Sequence, residues 1–127
     1  MADILLDSSI IIDHLRQKDK DKTILTLLGN QKAKLSTSII AHTESYSGKR
    51  VWESDNAMKA LKTLFLGIQV LELNEAISEK AGKIRAEYGT SISDATIAAT
   101  ALEHKSTLAT LNVKDFKNIK GLKLFKS

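Results

Sequence analysis

The sequence predicts an α/β fold, with helices covering both faces of a central parallel sheet. Two observations carry this reading. Short apolar runs alternate along the chain with longer segments of helical periodicity, and short apolar strands separated by helices belong to parallel sheets buried on both sides. A third observation sets the scale. A chain of 127 residues with 43% apolar content supports one core and leaves too little for a second. Pro is absent, the six glycines are scattered, and neither repeats nor low-complexity tracts occur. Residues 1–127 therefore read as a single domain.

The elements follow in order. Ile4-Leu5-Leu6, closed by Asp7 and two serines, predicts a buried strand ending in a polar loop. Ile10, Ile11 and Leu15 continue at helical spacing. A second helix is expected over Thr23–Leu28, ended by Gly29-Asn30. Lys34-Leu35-Ser36 is a weak strand candidate, and Thr37 or Ser38 can cap the helix that carries Ile39, Ile40, Thr43 and Glu44. A helix near Glu53–Phe65 and a strand over Ile68–Leu73 come next. Asn74 is a good N-cap for a helix Glu75–Tyr88, which Gly89 ends, and Ser93 is expected to cap an Ala-rich helix Asp94–His104. Thr107–Thr110 and Leu122–Phe125 are the last expected strands.

Composition excludes several function classes. Without cysteine there is neither a disulfide framework nor a thiolate metal site. The start, Met-Ala-Asp-Ile-Leu-Leu-Asp, lacks the basic segment and long apolar run of a signal peptide. The longest mostly apolar stretch, Leu64–Leu71, is broken by Gly67 and Gln69 and is too short to span a bilayer. A soluble protein of the cytoplasm, with no membrane role, is the expectation. The net charge of +4 favours polyanionic partners, yet lysine-rich surfaces are often only solvated. The five lysines between Lys114 and Lys126 fit a solvated edge strand and loop.

Chemistry is expected where the parallel strands end, because ligands of open α/β sheets bind beyond the carboxyl ends of the strands. Asp7 closes the first strand, and Asn112 and Asp115 follow Thr107–Thr110. Asp94 opens a helix, and Glu44 lies in the second turn of another; helix starts face the same rim in right-handed βαβ units. Each residue alone has a structural explanation: a turn-forming Asp, a charge complementing a helix dipole, a solvated Glu. Together they bring up to four carboxylates to one rim. Two carboxylates at ~4 Å repel by ~1 kcal/mol in water and ~4 kcal/mol at an effective dielectric of 20, and a divalent cation reverses that cost. Oxygen ligands without His or Cys suit Mg²⁺, with Mn²⁺ a close substitute. Metal-assisted phosphodiester hydrolysis is the matching chemistry.

With these segments in place the sequence resembles PIN domains, especially the VapC-type ribonuclease toxins of toxin–antitoxin pairs. Ile4-Leu5-Leu6-Asp7-Ser8-Ser9-Ile10-Ile11-Ile12-Asp13 is similar to their opening. Thr37-Ser38 with Thr43-Glu44 resembles their second acidic segment. Ser93-Asp94-Ala95-Thr96-Ile97-Ala98-Ala99-Thr100-Ala101 resembles their most specific motif, and Leu108-Ala109-Thr110-Leu111-Asn112-Val113-Lys114-Asp115-Phe116 closes the pattern. The resemblance runs the whole chain in the right order.

It implies a PIN-like three-layer sandwich and a Mg²⁺-dependent endoribonuclease. Asp7 and Asp94 would bind the metal directly, and Glu44 would complete the acidic cluster through a second ion or a metal-bound water. Ser9 would hydrogen-bond within the site. The fourth position falls on Asn112 or on Asp115, and Leu111 stands where the family often has a basic residue. RNA substrate, a small cognate antitoxin and a homodimer are the implied partners. A catalytically silent PIN domain that binds RNA or a protein partner is the alternative; a receiver-like phosphoacceptor fits less well, because Glu72 falls inside the third strand and Asn74 at its end.

The remaining conspicuous residues read as background. His14, His42 and His104 lack metal-ligand spacing; only His42 is close in sequence to one of the acids. Ala98 and Ala101 suit close helix–sheet packing, and Trp52 suits a packing surface. Lys49 and Arg50 fit a solvated helix end as well as an RNA contact. The apolar residues of Thr23–Leu28 and Met58–Phe65 are expected to exceed what the core needs.

Overall fold

Ile4, Leu5 and Leu6 leave no polar face for water, and the strand they form, β1 (Asp3–Leu6), lies inside a parallel sheet. The computed structural model describes residues 3–126; Met1, Ala2 and Ser127 of the expected 1–127 domain lie outside them. β2 (Lys34–Ser38) and β4 (Thr107–Ala109) flank β1, and β3 (Gln69–Leu71) sits outside β2, giving the order β3-β2-β1-β4. Every pairing is parallel. Side chains alternate between the faces of a strand, so β1 feeds two cores. Leu5 joins Leu108, Ile77, Ile97 and Phe116 on one side, whereas Ile4 and Leu6 join Ile10, Ile11, Leu28 and Leu61 on the other. Sheet between two helical layers is the three-layer sandwich the sequence implied.

The helices are α1 (Ser8–Arg16), α2 (Ile24–Asn30), α3 (Ile39–Ser45), α4 (Lys49–Glu53), α5 (Asp55–Phe65), α6 (Glu75–Tyr88), α7 (Ile92–Glu103) and α8 (Val113–Phe116), with a 3-10 turn at Lys20–Lys22. Capping explains most boundaries. Thr23 caps α2, and Ser38, not Thr37, caps α3 with Ala41 N donating to Ser38 Oγ at 3.0 Å. Thr37 instead donates its hydroxyl to the Leu6 carbonyl at 2.7 Å. Asn74 caps α6 as expected, and Gly89, at φ 69°, ends it in the left-handed conformation that favours glycine.

Four expectations are corrected. The helix near Glu53–Phe65 is two helices, because Ser54 is extended (φ −129°) and its hydroxyl starts α5 afresh by accepting from Ala57 N. Ser91, not Ser93, caps α7, accepting from Asp94 N at 3.0 Å. The strand expected at Leu122–Phe125 shrinks to one parallel bridge, Leu108 to Leu124, after a turn that includes Gly121 at φ 85°. The apolar surplus of α2 and α5 is also smaller than the sequence suggests. Leu25, Leu28 and Leu61 are buried, and the strongly exposed apolar residues there are Leu27 and the neighbouring Leu66. Ala98 and Ala101 are fully buried in the α7 layer, as their size suggested. The lysines from 114 to 126 are all exposed.

Candidate metal centre

The register of the sheet builds the site. Leu6 pairs with Ala109, so the next residues, Asp7 and Thr110, leave the sheet side by side. Asp7 N donates to the Ala109 carbonyl at 2.9 Å and extends the ladder by one bond. Asp7 is also the N-cap of α1, with Oδ1 accepting from Ser8 N at 2.8 Å. Its Oδ2 accepts two hydroxyls, Ser9 Oγ at 2.9 Å and Thr110 Oγ1 at 2.7 Å. Each hydroxyl has one hydrogen and spends it on Asp7. Each oxygen is then free to accept from the following loop: Leu111 N donates to Ser9 Oγ, and Asn112 N to Thr110 Oγ1, both at 3.0 Å. Asp7 is thus 97% removed from solvent yet fully oriented. Oδ2 has used both lone pairs, whereas Oδ1 retains one after the Ser8 bond, which leaves it available to a cation.

Three more acids gather on this rim. Glu44, near the end of α3, is half-buried and accepts Ser8 Oγ at Oε1, 3.1 Å away, which ties α3 to the start of α1. Asp94 stands in the first turn of α7, half-buried. Its carboxyl is raised above the usual range, first because burial strips water from the charge, then because Asp7 and Asp115 repel it. Hydrogen bonding from Ser91 opposes the rise, and Glu44 adds repulsion. All the expected acids therefore act on Asp94 electrostatically. Asp115 lies exposed in α8, a helix the sequence did not predict, and Asn112 precedes it as an exposed N-cap whose side chain makes no capping bond. The acids share one rim, but among the described residues no three His, Asp or Glu side chains close into a metal-holding group. The donor set suits a hard cation nonetheless: four carboxylates and an amide, all oxygen, with no histidine among them.

Sequence reasoning missed Thr110 and Ser8. The signal for Thr110 was its place one residue past the strand that pairs with β1, and pairing is invisible without the fold. Ser8 was expected only in the polar loop that closes the first strand; it begins α1 and is the link to Glu44. No histidine is among the groups that act on Asp94. His14 Nδ1 lies 2.7 Å from Thr23 Oγ1, and burial and Lys20 lower its pKa against an opposing push from Asp13. His42 packs between Tyr46 and Phe65, with centroids 4.8 and 4.7 Å away. Trp52 packs on one side only: its ring lies 6.4 Å from that of Tyr46 between centroids, it stays 69% exposed, and its Nε1–H donates to the Tyr46 carbonyl at 2.7 Å.

Comparison with known proteins adds to this geometry. A family model described as PIN domain matches residues 4–122. The chain is 35% identical to ribonuclease VapC1 of Rickettsia felis, over 95% of this chain and 93% of that protein. It is 28% identical to ribonuclease VapC19 of Mycobacterium tuberculosis, over 88% and 90% of the two chains. Among solved structures, VapBC-1 from nontypeable Haemophilus influenzae superposes with a TM-score of 0.77 at 28% identity, over 97% of this chain and 96% of that one.

Proposed function

Because the chain belongs to the PIN-domain family, we propose that it is a metal-dependent endoribonuclease and the toxin of a toxin–antitoxin pair. The observation that carries this is the all-oxygen acidic rim, with Asp7 buried, donor-saturated on one oxygen and repelling Asp94. The names of the relatives, both ribonucleases of VapC type, support the same activity. A solved relative described as a toxin–antitoxin complex from Klebsiella pneumoniae, 26% identical, supports an antitoxin as partner.

In this reading Asp7 and Asp94 hold Mg²⁺ (or Mn²⁺), and Glu44 and Asp115 complete the cluster through water or a second ion. The cation, when bound, supplies Lewis-acid polarisation of the scissile phosphate and a more acidic water. Ser9 and Thr110 keep the Asp7 carboxylate in one orientation, so no reorganisation is needed as the substrate reacts. Glu44 has Oε1 occupied by Ser8, so Oε2 is the oxygen that would accept a proton from an attacking water. Asn112 can donate its side-chain amide to a phosphate oxygen. Residues 1–127 act as one domain, working as a homodimer in the cytoplasm; no described helix is long and apolar enough to cross a membrane.

The test combines chemistry with physiology. Purified protein should cleave RNA with Mg²⁺, stop with chelator, and lose cleavage on Asp94→Asn. Its expression alone should slow growth, and its genomic neighbour should relieve this. Soluble protein that neither cuts RNA with Mg²⁺ nor slows growth would instead favour a silent PIN domain that only binds.

A further inference from the structure

The chain has three arginines against 16 lysines, and two of the three line one groove. Arg85 is occupied, donating to the Thr90 carbonyl. Arg16, at the end of α1, and Arg50, on α4, both border a groove of about 630 Å³ between α1, α3, α4 and α5. Among the described residues neither guanidinium has a carboxylate within ion-pair distance. Glu44 stands in the same wall, so the groove is continuous with the acidic rim at that residue. Leu15, Val51 and Ala57 supply the apolar part of the lining.

Resting on the ribonuclease reading, we propose that this groove holds the RNA strand flanking the cut, with Arg16 and Arg50 each binding a backbone phosphate. Charge is the first argument. The rim repels a polyanion until a cation is bound, and the two guanidiniums in the adjoining groove can offset this. Their planar forks match phosphate oxygens in pairs, which a lysine cannot do. Shape is the second. The volume lies in the ~300–1,000 Å³ range of sites that enclose a small ligand, enough for a short single-stranded stretch. The aliphatic lining offers apolar surface for a base to pack against.

The test measures binding apart from cutting, with Asp94→Asn protein and a short fluorescein-labelled single-stranded RNA of mixed sequence. Anisotropy is followed against salt. Adding Arg16→Gln and Arg50→Gln should weaken binding by about tenfold or more and flatten the log–log salt slope by ~1.4, at ~0.7 per phosphate on single strands. Lys80→Gln with Lys83→Gln on α6 removes the same net charge and should leave the slope nearly unchanged. Arg50→Lys should fall between. In cleavage by protein with Asp94 intact, the arginine changes should raise KM more than they lower kcat. Folding of each variant is checked by its melting temperature, since both arginines are exposed. If the double arginine variant binds with the parental affinity and slope while the wild type cleaves, the groove serves a protein partner instead and the proposal falls, with the ribonuclease reading intact. If the wild type neither binds nor cuts RNA, both fall together.

Discussion

Asp7 receives more hydrogen bonds than a helix cap requires. One donor, Ser8 N, would satisfy the start of α1, yet Ser9 and Thr110 add two hydroxyls to Oδ2. The extra pair fixes the carboxylate plane, so Thr110 is expected to matter to activity although it touches no substrate. Thr110→Val keeps the shape and removes a donor to a buried charge. It should cost about 1–3 kcal/mol in a denaturant melt and lower cleavage more than binding, whereas Thr110→Ser should restore both. Asp94 answers to the opposite force. A carboxyl whose folded pKa is raised destabilises the fold wherever it is ionised; the penalty is complete above the folded pKa and disappears below the ordinary value near ~3.9. Asp94→Asn should therefore stabilise the metal-free protein at neutral pH, by about 0.5–1 kcal/mol, since solvent screens a half-exposed charge. The advantage should shrink as pH falls through the carboxylate range and vanish below it. Melting temperatures of the two proteins across pH check this, and an advantage that grows toward acid pH would contradict it.

Asp94 is presented by the first turn of α7, and the position of that turn depends on which serine caps it. Ser91 accepts from Asp94 N, while Ser93 lies one turn-position inside the helix. Ser91→Ala should cost ~1 kcal/mol and loosen the Asp94 backbone, and Ser93→Ala should cost a few tenths at most. A larger loss at Ser93 than at Ser91 would return the cap to Ser93. The pair also shows where sequence reading stops. The order of strands and helices, the Asn74 and Gly89 boundaries and the acids themselves were legible, because periodicity, caps and residue type are local properties. Only the backbone angles of Ser91 (φ −62°, ψ 159°), which residue type does not reveal, make it the cap in place of the expected Ser93. The break at Ser54 and the shortened strand at Leu124 were hidden for the same reason. At the site, Asp7 and Asp94 could be named from their segments, but the Thr110 contact depends on β1 pairing with β4, 103 residues apart in sequence.

Across the whole molecule the rim draws on four separate helical segments. Asp7 begins α1, Glu44 comes from α3, Asp94 from α7 and Asp115 from α8. A charge cluster built this way is a strain shared between elements far apart in sequence. Asp7 and α7 sit on the β1–β4 framework, whereas Asp115 lies exposed on a short helix anchored in the core by Phe116. Cation binding should therefore be visible as global stability. A ligand that binds only the folded state adds about 2.7 kcal/mol at a hundredfold excess over its Kd, so Mg²⁺ should raise the melting temperature of the wild type in a concentration-dependent way. Asp94→Asn starts from a higher metal-free melting temperature and should gain much less from Mg²⁺. Those two changes in opposite directions distinguish a metal-holding acid from a structural one, which would lose stability with or without the ion. The fourth position is decided by the same measurement on Asn112→Ala and Asp115→Asn. Asp115 adds to the repulsion on Asp94, so Asp115→Asn should both stabilise the metal-free protein slightly and weaken the Mg²⁺ response. Asn112→Ala removes no charge and should leave the metal-free stability nearly unchanged, while lowering cleavage through lost phosphate contact. If Mg²⁺ stabilises Asp94→Asn as strongly as the wild type, the cation binds elsewhere and the acidic rim is not its site.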